Sequence, residues 1–167
     1  MKKNTKVNAA ILIIGNEILS GRTQDTNTST LATWLNSIGV KVNEVRVIPD
    51  IEKKIVDSLN ILRKVNDYVF TTGGIGPTHD DITAESVAKT FGLKYKIHTE
   101  AFKILEKYYK PGEFNEGRQK MVWMPEEAEL ILNPTSGAPG FSVENVFCLP
   151  GVPSILKSML GGLKNKI

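Results

Sequence analysis

The segment from Gly73 to Thr83 carries the strongest chemical signal in the chain. It reads GGIGPTHDDIT and follows a short apolar stretch at residues 67–72. Three glycines within four positions allow a sharp turn and let backbone amides approach a ligand closely. A helix beginning just after such a loop adds free amides and the positive end of its dipole, which together bind anions. A tight turn capped by Asp80, Asp81 or Thr83 would explain the same pattern without a ligand.

Acidic residues accompany this loop. Asp80 and Asp81 lie within it, and Glu17 and Asp50 follow two earlier apolar stretches. Negative side chains beside an anion site are unfavourable unless a cation balances them, and Mg²⁺ commonly binds one or two carboxylates together with phosphate oxygens. We therefore predict a divalent metal ion, Mg²⁺, Mn²⁺ or Co²⁺, held by Asp50, Asp80 and Asp81. The alternative is that Asp50 and Asp81 only cap the helices that follow them.

Histidine and cysteine point to little further chemistry. His79 could contact a phosphate or exchange a proton near neutral pH, or simply face solvent. His98, just before a predicted helix, is expected to be structural. With two distant histidines and one cysteine there is no zinc pattern. The apolar surroundings of Cys148 favour a buried thiol over a nucleophile.

The hydrophobic pattern predicts strands and helices in alternation. Continuous apolar runs indicate buried strands, period-2 alternation a half-exposed strand, and spacing of three and four residues a helix. Gly39 and Gly92 are helix stop signals, and a glycine pair after residue 160 is read as the end of the last helix. The predicted strands are 7–14, 40–48, 67–72, 130–132, 141–143 and 146–149, and the predicted helices are 26–38, 51–65, 83–91, 99–109 and 154–160.

This order predicts the fold class. Strands alternating with helices favour right-handed crossovers onto a parallel sheet. We expect a single α/β domain over residues 1–167, a three-layer αβα arrangement with a mostly parallel sheet and a small strand-rich C-terminal portion. Ligands of such sheets bind beyond the carboxyl ends of the strands, where the glycine loop and the acids fall.

Charge and apolar run lengths limit the class of partner. The net charge is +3 and the lysines are scattered, without the basic stripe and interleaved aromatics of a nucleic-acid site, so no nucleic acid is expected. The apolar run 9–14 is too short for a signal-peptide core, and no run approaches the ~20 residues of a membrane helix. We therefore expect a cytoplasmic location, no membrane contact and a small anionic ligand.

Five motifs in order resemble one known family. The chain is similar to the molybdopterin-binding (MoaB/Mog) domain, in the variant found at the N-terminus of competence/damage-inducible protein A (CinA). The motifs span almost the whole chain and are IGNEILSGR at 14–22, DTN at 25–27, TGGIGPTHDDIT at 72–83, NP with GAPGF at 133–141, and LPGVP at 149–153.

The resemblance implies a domain that binds molybdopterin or a nucleotide through its phosphate group. In Mog-type enzymes two aspartates are tied to adenylation of molybdopterin, and they fall on Asp50 and Asp81, our predicted catalytic residues. The predicted ligand-binding residues come from the glycine loop and the other motifs. They are Gly15, Asn16, Glu17, Asn27, Gly73, Gly74, Ile75, Gly76, Pro77, Thr78, Thr83, Asn133, Pro134, Gly137, Ala138, Pro139, Gly140, Pro150 and Gly151.

Three functions remain open at this point. CinA-like domains are associated with metal-dependent cleavage of the pyrophosphate in ADP-ribose or FAD, and the Gly-Pro-Thr-His-Asp-Asp form of the loop favours this pyrophosphatase reading. Molybdopterin adenylylation in molybdenum cofactor biosynthesis is the second, and a non-catalytic binding module the third. CinA proteins often carry a C-terminal deamidase domain, which these 167 residues do not include, so no deamidase activity is expected. Related domains self-associate, so the resemblance also implies a homo-oligomer.

Overall fold

The computed structural model describes residues 6–167 of the chain. Residues 1–5 of the expected domain lie outside the described residues. The strands are β1 (Asn8–Ile14), β2 (Lys41–Ile48), β3 (Tyr68–Thr72), β4 (Tyr95–Ile97), β5 (Trp123–Pro125), β6 (Glu129–Ile131), β7 (Gly140–Val143) and β8 (Val146–Leu149). The helices are α1 (Asn16–Leu19), α2 (Asn27–Ser37), α3 (Glu52–Val65), α4 (Thr83–Phe91), α5 (Thr99–Tyr108), α6 (Glu116–Gln119) and α7 (Pro153–Leu163).

Six strands form one sheet in the order β2-β1-β3-β8-β7-β6. β1 pairs in parallel with β2 and β3, and β3 pairs in parallel with β8. β7 and β6 run antiparallel and extend the sheet from β8. The predicted α/β class is therefore confirmed, and the strands of the C-terminal third complete the main sheet.

Helices cover both faces of the sheet. Alternate side chains of β1 point to opposite faces, as a strand requires. Leu12 packs with α3, α4 and α5 in one buried cluster, whereas Ile11 packs with α2 and α7 in the other. Because both faces of β1 are covered, all its positions after Asn8 are buried, and this explains the unbroken apolar run. The three predicted layers are present.

β2 is one of the two edge strands of this sheet, and its Val45 and Val47 are 42% and 38% exposed. The alternation of polar and apolar residues in β2 predicts a half-exposed strand, and this prediction is confirmed. In the described part of the chain no helix is long and apolar enough to cross a membrane.

The structure corrects several sequence-based boundaries. The last helix does not end before Gly161 but continues to Leu163, whose fully buried side chain packs into the core and outweighs the helix-breaking tendency of two glycines. The short strands β4 and β5 pair antiparallel in a separate two-stranded sheet that sequence reasoning missed. The segment Tyr95–Ile97 has a lysine at its centre and Trp123–Pro125 ends in proline, so neither shows the continuous apolar run that indicated a strand at residues 130–132. The helical turns α1 and α6 lie in segments expected to be loops.

Candidate functional site

Four segments meet where the parallel strands end. β1, β2, β3 and β8 run in the same direction, so the residues after them lie at one edge of the sheet. These segments are 15–17 after β1, 49–50 after β2, the glycine loop 73–82 after β3, and 150–152 after β8. The sheet topology thus brings together motifs that are distant in sequence, as predicted.

The glycine loop is held by Thr83 and Asp81. The Thr83 hydroxyl donates a hydrogen bond to the Gly73 carbonyl at 3.0 Å, and the Thr83 amide donates to the Gly74 carbonyl at 2.9 Å. Asp81 Oδ2 accepts from the amide and the hydroxyl of Thr78, at 2.8 and 2.9 Å. The loop is therefore fixed at two places by hydrogen bonds within the protein.

The conformation of the loop requires its glycines. Gly73 and Gly74 have φ of 94° and 72°, which side-chain-bearing residues rarely adopt. A Cβ on Gly74 would overlap the Thr83 hydroxyl, and one on Gly76 would lie 2.7 Å from Asp81 Oδ2. These contacts explain why glycine, and not a small side chain, occupies the turn.

Three backbone amides of the glycine run 73–76 have no acceptor within the described part of the protein. The Gly73 amide is not among them, because it donates to the Leu149 carbonyl at 3.0 Å and so joins the loop to β8. Within residues 6–167, the amides of Gly74, Ile75 and Gly76 donate to no protein acceptor. These three amides of the glycine run are therefore the ones that could donate to a ligand.

An acidic cleft of about 390 Å³ opens on one side of the loop. Asp50, Asp80, Asp81 and Glu17 line it, together with a single basic side chain, Arg22. Its remaining lining residues are Ile14, Asn16, Gly74 and Thr78.

Neither predicted aspartate caps the helix after it. The Asn16 amide donates to Asp50 Oδ2 at 3.0 Å, whereas the residue capping α3 is Ile51 and makes no side-chain cap bond. Asp81 bonds Thr78, and the residue capping α4 is Ile82, again without a side-chain bond. The capping explanation is therefore wrong for Asp50 and Asp81. It is also wrong for Asp80 and Thr83, because the residue capping α4 is Ile82.

The cleft raises the pKa of the Asp50 carboxyl above its usual value. Burial is the largest cause, the hydrogen bond from Asn16 opposes it, and the negative charges of Glu17, Asp81 and Asp80 add to it. A bound cation would relieve this repulsion. Among residues 6–167 no three acidic, histidine or cysteine side chains lie close enough to hold a metal ion between them. The acids fit an ion that takes one or two carboxylates and completes its shell with phosphate oxygens and water.

An apolar cleft of about 520 Å³ opens on the other side of the loop. Gly74, Asp81 and Glu17 line both this cleft and the acidic cleft, so the two adjoin at these residues. The other predicted residues lining the apolar cleft are Gly73, Ile75, Gly76, Pro77, Asn133, Ala138, Pro150 and Gly151. Ser136, Val152 and Pro153, from the motif segments 133–141 and 149–153, also line it. Sequence reasoning did not single out the remaining lining residues Thr23, Met121 and Ile155.

The loop 133–140 forms one wall of the apolar cleft. Asn133 Oδ1 accepts from the amides of Thr135 and Ser136, each at 3.0 Å, and Asn133 Nδ2 donates to the Ala138 carbonyl at 2.9 Å. The polar atoms of Asn133 are therefore used to shape the loop, although the residue lines the cleft. The ring of Tyr108 lies against the backbone of Gly137, where a Cβ would come within 2.7 Å of it.

Several predicted ligand-binding residues support the site without lining the two large clefts. Gly15 is buried and its amide bonds the Ile48 carbonyl. Thr83 lies beneath the loop, Gly140 is buried against β8, and Pro139 borders a small pocket beside Met121. Pro134 and Gly137 belong to the wall loop but line neither cleft.

Two basic residues were not predicted. Arg22 lines the acidic cleft, and the Lys120 ammonium group bonds the Thr78 carbonyl of the glycine loop. Arg22 stands at the end of the first family motif, so its position could have been noticed. Lys120 lies in a segment with no motif, and only the tertiary fold brings it to the loop.

The remaining residues with potential chemistry behave as structural or surface groups. His98 caps α5, with Nδ1 accepting from the Ala101 amide at 3.2 Å and Nε2 bonding the Ala128 carbonyl at 3.1 Å. His79 is exposed beside Asp80. Cys148 is fully buried, and burial raises the pKa of its thiol to about 12. The expectations for His98 and Cys148 are confirmed.

Comparison with known proteins identifies the family to which this fold and site belong. The family described as probable molybdopterin binding domain matches residues 10–166. The solved structure of CinA from Thermoplasma acidophilum, described as having unknown function, is 33% identical. The match covers 96% of this chain and 98% of that one, with a TM-score of 0.89. MoaB from Thermus thermophilus is 18% identical, with 96% and 91% coverage and a TM-score of 0.65, a likeness of fold alone.

Similar sequences agree with this comparison. A protein of Archaeoglobus fulgidus is 39% identical over 89% of this chain, and a CinA-like protein of Citrifermentans bemidjiense is 37% identical over 90%. The chain spans 63% of the length of the first and 38% of the second. The chain belongs to the MoaB/Mog family of molybdopterin-binding domains and is of its CinA-like kind.

Proposed function

We propose that this domain binds a phosphate-bearing pterin or nucleotide and cleaves the pyrophosphate of a compound of the ADP-ribose or FAD class with a divalent metal ion. The observation that carries the proposal is the meeting of an apolar cleft and an acidic cleft at Gly74 and Asp81. A dinucleotide has the matching parts, a flat ring system at one end and a doubly charged linkage beside it.

Each part of the site would bind one part of such a ligand. The apolar cleft, walled by Ile75, Met121 and Ile155, would take the ring and keep water away from it. The free amides of Gly74, Ile75 and Gly76 would donate to phosphate oxygens. Arg22 would add a charged hydrogen-bond donor in the acidic cleft, since the guanidinium group of arginine binds phosphate oxygens well.

Asp50 and Asp81 would hold the metal ion, with Asp80 on the exposed rim of the same cleft. A bound Mg²⁺, Mn²⁺ or Co²⁺ would neutralise phosphate charge and polarise a phosphoryl oxygen. Asp50 is kept in position by Asn16, and Asp81 by Thr78, so both carboxylates are oriented before the ligand arrives. Asp80 is more exposed and would contribute less.

The experiment is an assay of AMP release from ADP-ribose and FAD, with and without each of the three metals. We expect metal-dependent release that falls by about 100-fold in Asp81→Asn, because an amide retains the bonds from Thr78 but not the negative charge. Asp57→Asn is the matched control, since Asp57 is exposed on α3 and pairs with Lys53 on the same helix. Absence of AMP release with every metal would rule out the pyrophosphatase.

A second candidate is transfer of an adenylyl group to molybdopterin. The description of the family and the fold shared with MoaB of Thermus thermophilus favour it. It would use the same clefts and the same aspartates. Incubation with ATP and molybdopterin separates the two activities, because transfer yields adenylylated molybdopterin and pyrophosphate, whereas the pyrophosphatase yields AMP from ADP-ribose.

A non-catalytic binding module is the third candidate, and the absence of a preformed three-carboxylate set within residues 6–167 favours it. It predicts ADP-ribose binding that survives Asp81→Asn, without turnover at any metal concentration. Calorimetry beside the AMP assay distinguishes this outcome from loss of a catalyst.

We also propose that the chain self-associates and that its partner is otherwise a small ligand, without nucleic acid or membrane. The edge strand β2, with exposed Val45 and Val47, offers unpaired backbone groups to a second copy. Light scattering should give a mass above that of one chain, and Val45→Lys should lower it. A cytoplasmic location is proposed on the same basis as in the sequence analysis.

A further inference from the structure

A third, smaller recess adjoins the apolar cleft. It has a volume of about 40 Å³ and lies between the start of α2 and the glycine loop. Asn27, the first residue of α2, lines it together with Asp25, Glu17 and Gly73. The recess and the apolar cleft adjoin, because both are lined by Glu17, Thr23, Gly73, Gly151 and Pro153.

Asn27 lines this recess and carries a hydrogen-bond acceptor without a partner among the described residues. The side chain is only 6% exposed, and its Nδ2 donates to the Gly151 carbonyl at 2.9 Å. Its Oδ1 is buried and has no hydrogen-bond partner among the described residues. An unpaired buried acceptor costs free energy, and native structures retain few of them. Oδ1 of Asn27 therefore requires a hydrogen-bond donor that the described residues do not supply.

The surroundings of the oxygen select the kind of donor. Asp25 and Glu17 border the recess, so a phosphate, which is negatively charged and accepts without donating, is disfavoured there. The volume exceeds the ~10–15 Å³ that a water needs, and it suits one small polar group. A ring lying in the apolar cleft can extend such a group into the recess across Gly73 and Gly151.

We propose that Asn27 is a specificity-determining residue whose Oδ1 accepts a hydrogen bond from an N–H group on the heterocycle of the ligand. This inference rests on the proposed function, because it assigns the ring to the apolar cleft and the phosphates to the glycine loop. In ADP-ribose the donor is the amino group of adenine. Replacing that amino group with a carbonyl oxygen sets two acceptors against each other and should weaken binding.

The test measures the affinity of ADP-ribose and of its hypoxanthine counterpart, inosine diphosphate ribose, by calorimetry. Wild-type protein should bind ADP-ribose at least about tenfold more tightly. In Asn27→Leu the ratio should fall close to one, because the discriminating oxygen is gone. Asn36→Leu, an exposed position on the same helix, should keep the wild-type ratio.

Asn27→Leu loses the hydrogen bond to Gly151 and could fail to fold. The ratio of the two affinities in the wild-type protein tests the inference in that case as well. The side-chain amide NMR signal of Asn27 gives a second, variant-free measurement. It should shift with ADP-ribose and much less with the hypoxanthine counterpart.

Equal affinity of the wild type for the two probes would overturn the inference, as would an unchanged ratio in Asn27→Leu. A water retained in the recess of the ADP-ribose complex would also overturn it, because the donor would then be solvent. Binding of neither probe would contradict the proposed function as well, so the two failures are distinguishable.

Discussion

Asn16 and Asp50 bond each other reciprocally: the Asn16 amide donates to Asp50 Oδ2 at 3.0 Å, and the Asp50 amide donates to Asn16 Oδ1 at 3.3 Å. The pair ties the end of β1 to the end of β2 and orients a carboxylate into the acidic cleft. The carboxylate is held there although burial and neighbouring charge raise its pKa. A carboxyl group whose charged form is disfavoured by its surroundings is expected where function requires it.

The first prediction is that Asp50→Asn removes function without lowering stability. The pKa of the Asp50 carboxyl in the folded protein is raised above its ordinary value of 3.8. The stability that this carboxyl contributes is therefore present below pH 3.8 and is lost as pH rises through the folded-state pKa. At pH 7 the neutral variant should unfold at the same or a higher urea concentration than wild type, and the difference should shrink below about pH 4.

In the same variant the affinity for Mn²⁺ in the presence of ADP-ribose should fall by about 10- to 100-fold. Asp57→Asn should leave both the stability at pH 7 and the affinity for Mn²⁺ close to wild type. A clear loss of stability in Asp50→Asn would show that the carboxylate serves the fold and not the site.

The second prediction concerns Gly74. Gly74→Ala places a side chain at φ of 72° and against the Thr83 hydroxyl, which bonds Gly73. The left-handed conformation and the lost bond should together lower the free energy of unfolding by about 2 kcal/mol or more. Urea denaturation measures this change.

Gly161→Ala is the control for Gly74→Ala. Gly161 lies in α7 with open space where its Cβ would be, so alanine should stabilise the helix by up to about 1 kcal/mol. Equal effects of the two substitutions would contradict the loop geometry.

A third prediction concerns His98, which we interpret as a helix cap. His98→Ala removes the acceptor for the Ala101 amide and the bond to the Ala128 carbonyl, and it should destabilise the protein by about 1 kcal/mol. ADP-ribose affinity should not change. His79→Ala, at an exposed position, should leave stability unaltered, and a large loss there would contradict its assignment to the surface.

Cys148 should be unreactive in the folded protein, which is the fourth prediction. Burial raises the pKa of the thiol to about 12 from 9.0, so it remains protonated and enclosed at pH 8. Modification by a thiol reagent should occur only at the rate of unfolding. The contribution of Cys148 to stability is complete below pH 9 and is lost as pH rises toward 12, and Cys148→Ala should lack this dependence.

The sequence predicted most of the fold because the sheet is covered on both sides. β1 must be apolar throughout, and the helices over it must carry apolar faces, so hydrophobic periodicity reveals both. β4 and β5 were missed because neither is a continuous apolar run, and they become strands only by pairing with each other across the 28 positions from Lys96 to Met124. Gly161 was misread because the burial of Leu163 decides the helix end, and burial is a tertiary property.

The site was predicted as far as the strand ends determine it. Asp50, Asp81 and the glycine loop share an edge because three strands are parallel. Which amides are free could not be foreseen, because the Gly73 amide is used by Leu149, a residue 76 positions along the chain. For the same reason the lone acceptor of Asn27 and the approach of Lys120 to Thr78 emerge only from the folded chain.

The central claim is that the free amides of Gly74, Ile75 and Gly76 bind phosphate oxygens. Titration of ¹⁵N-labelled protein with ADP-ribose and Mg²⁺ tests it directly, because each amide gives its own NMR signal. We expect the signals of these three residues to move most and to saturate together, while that of Gly73, already bonded to Leu149, moves less. Saturable binding that leaves all three signals in place would contradict the account.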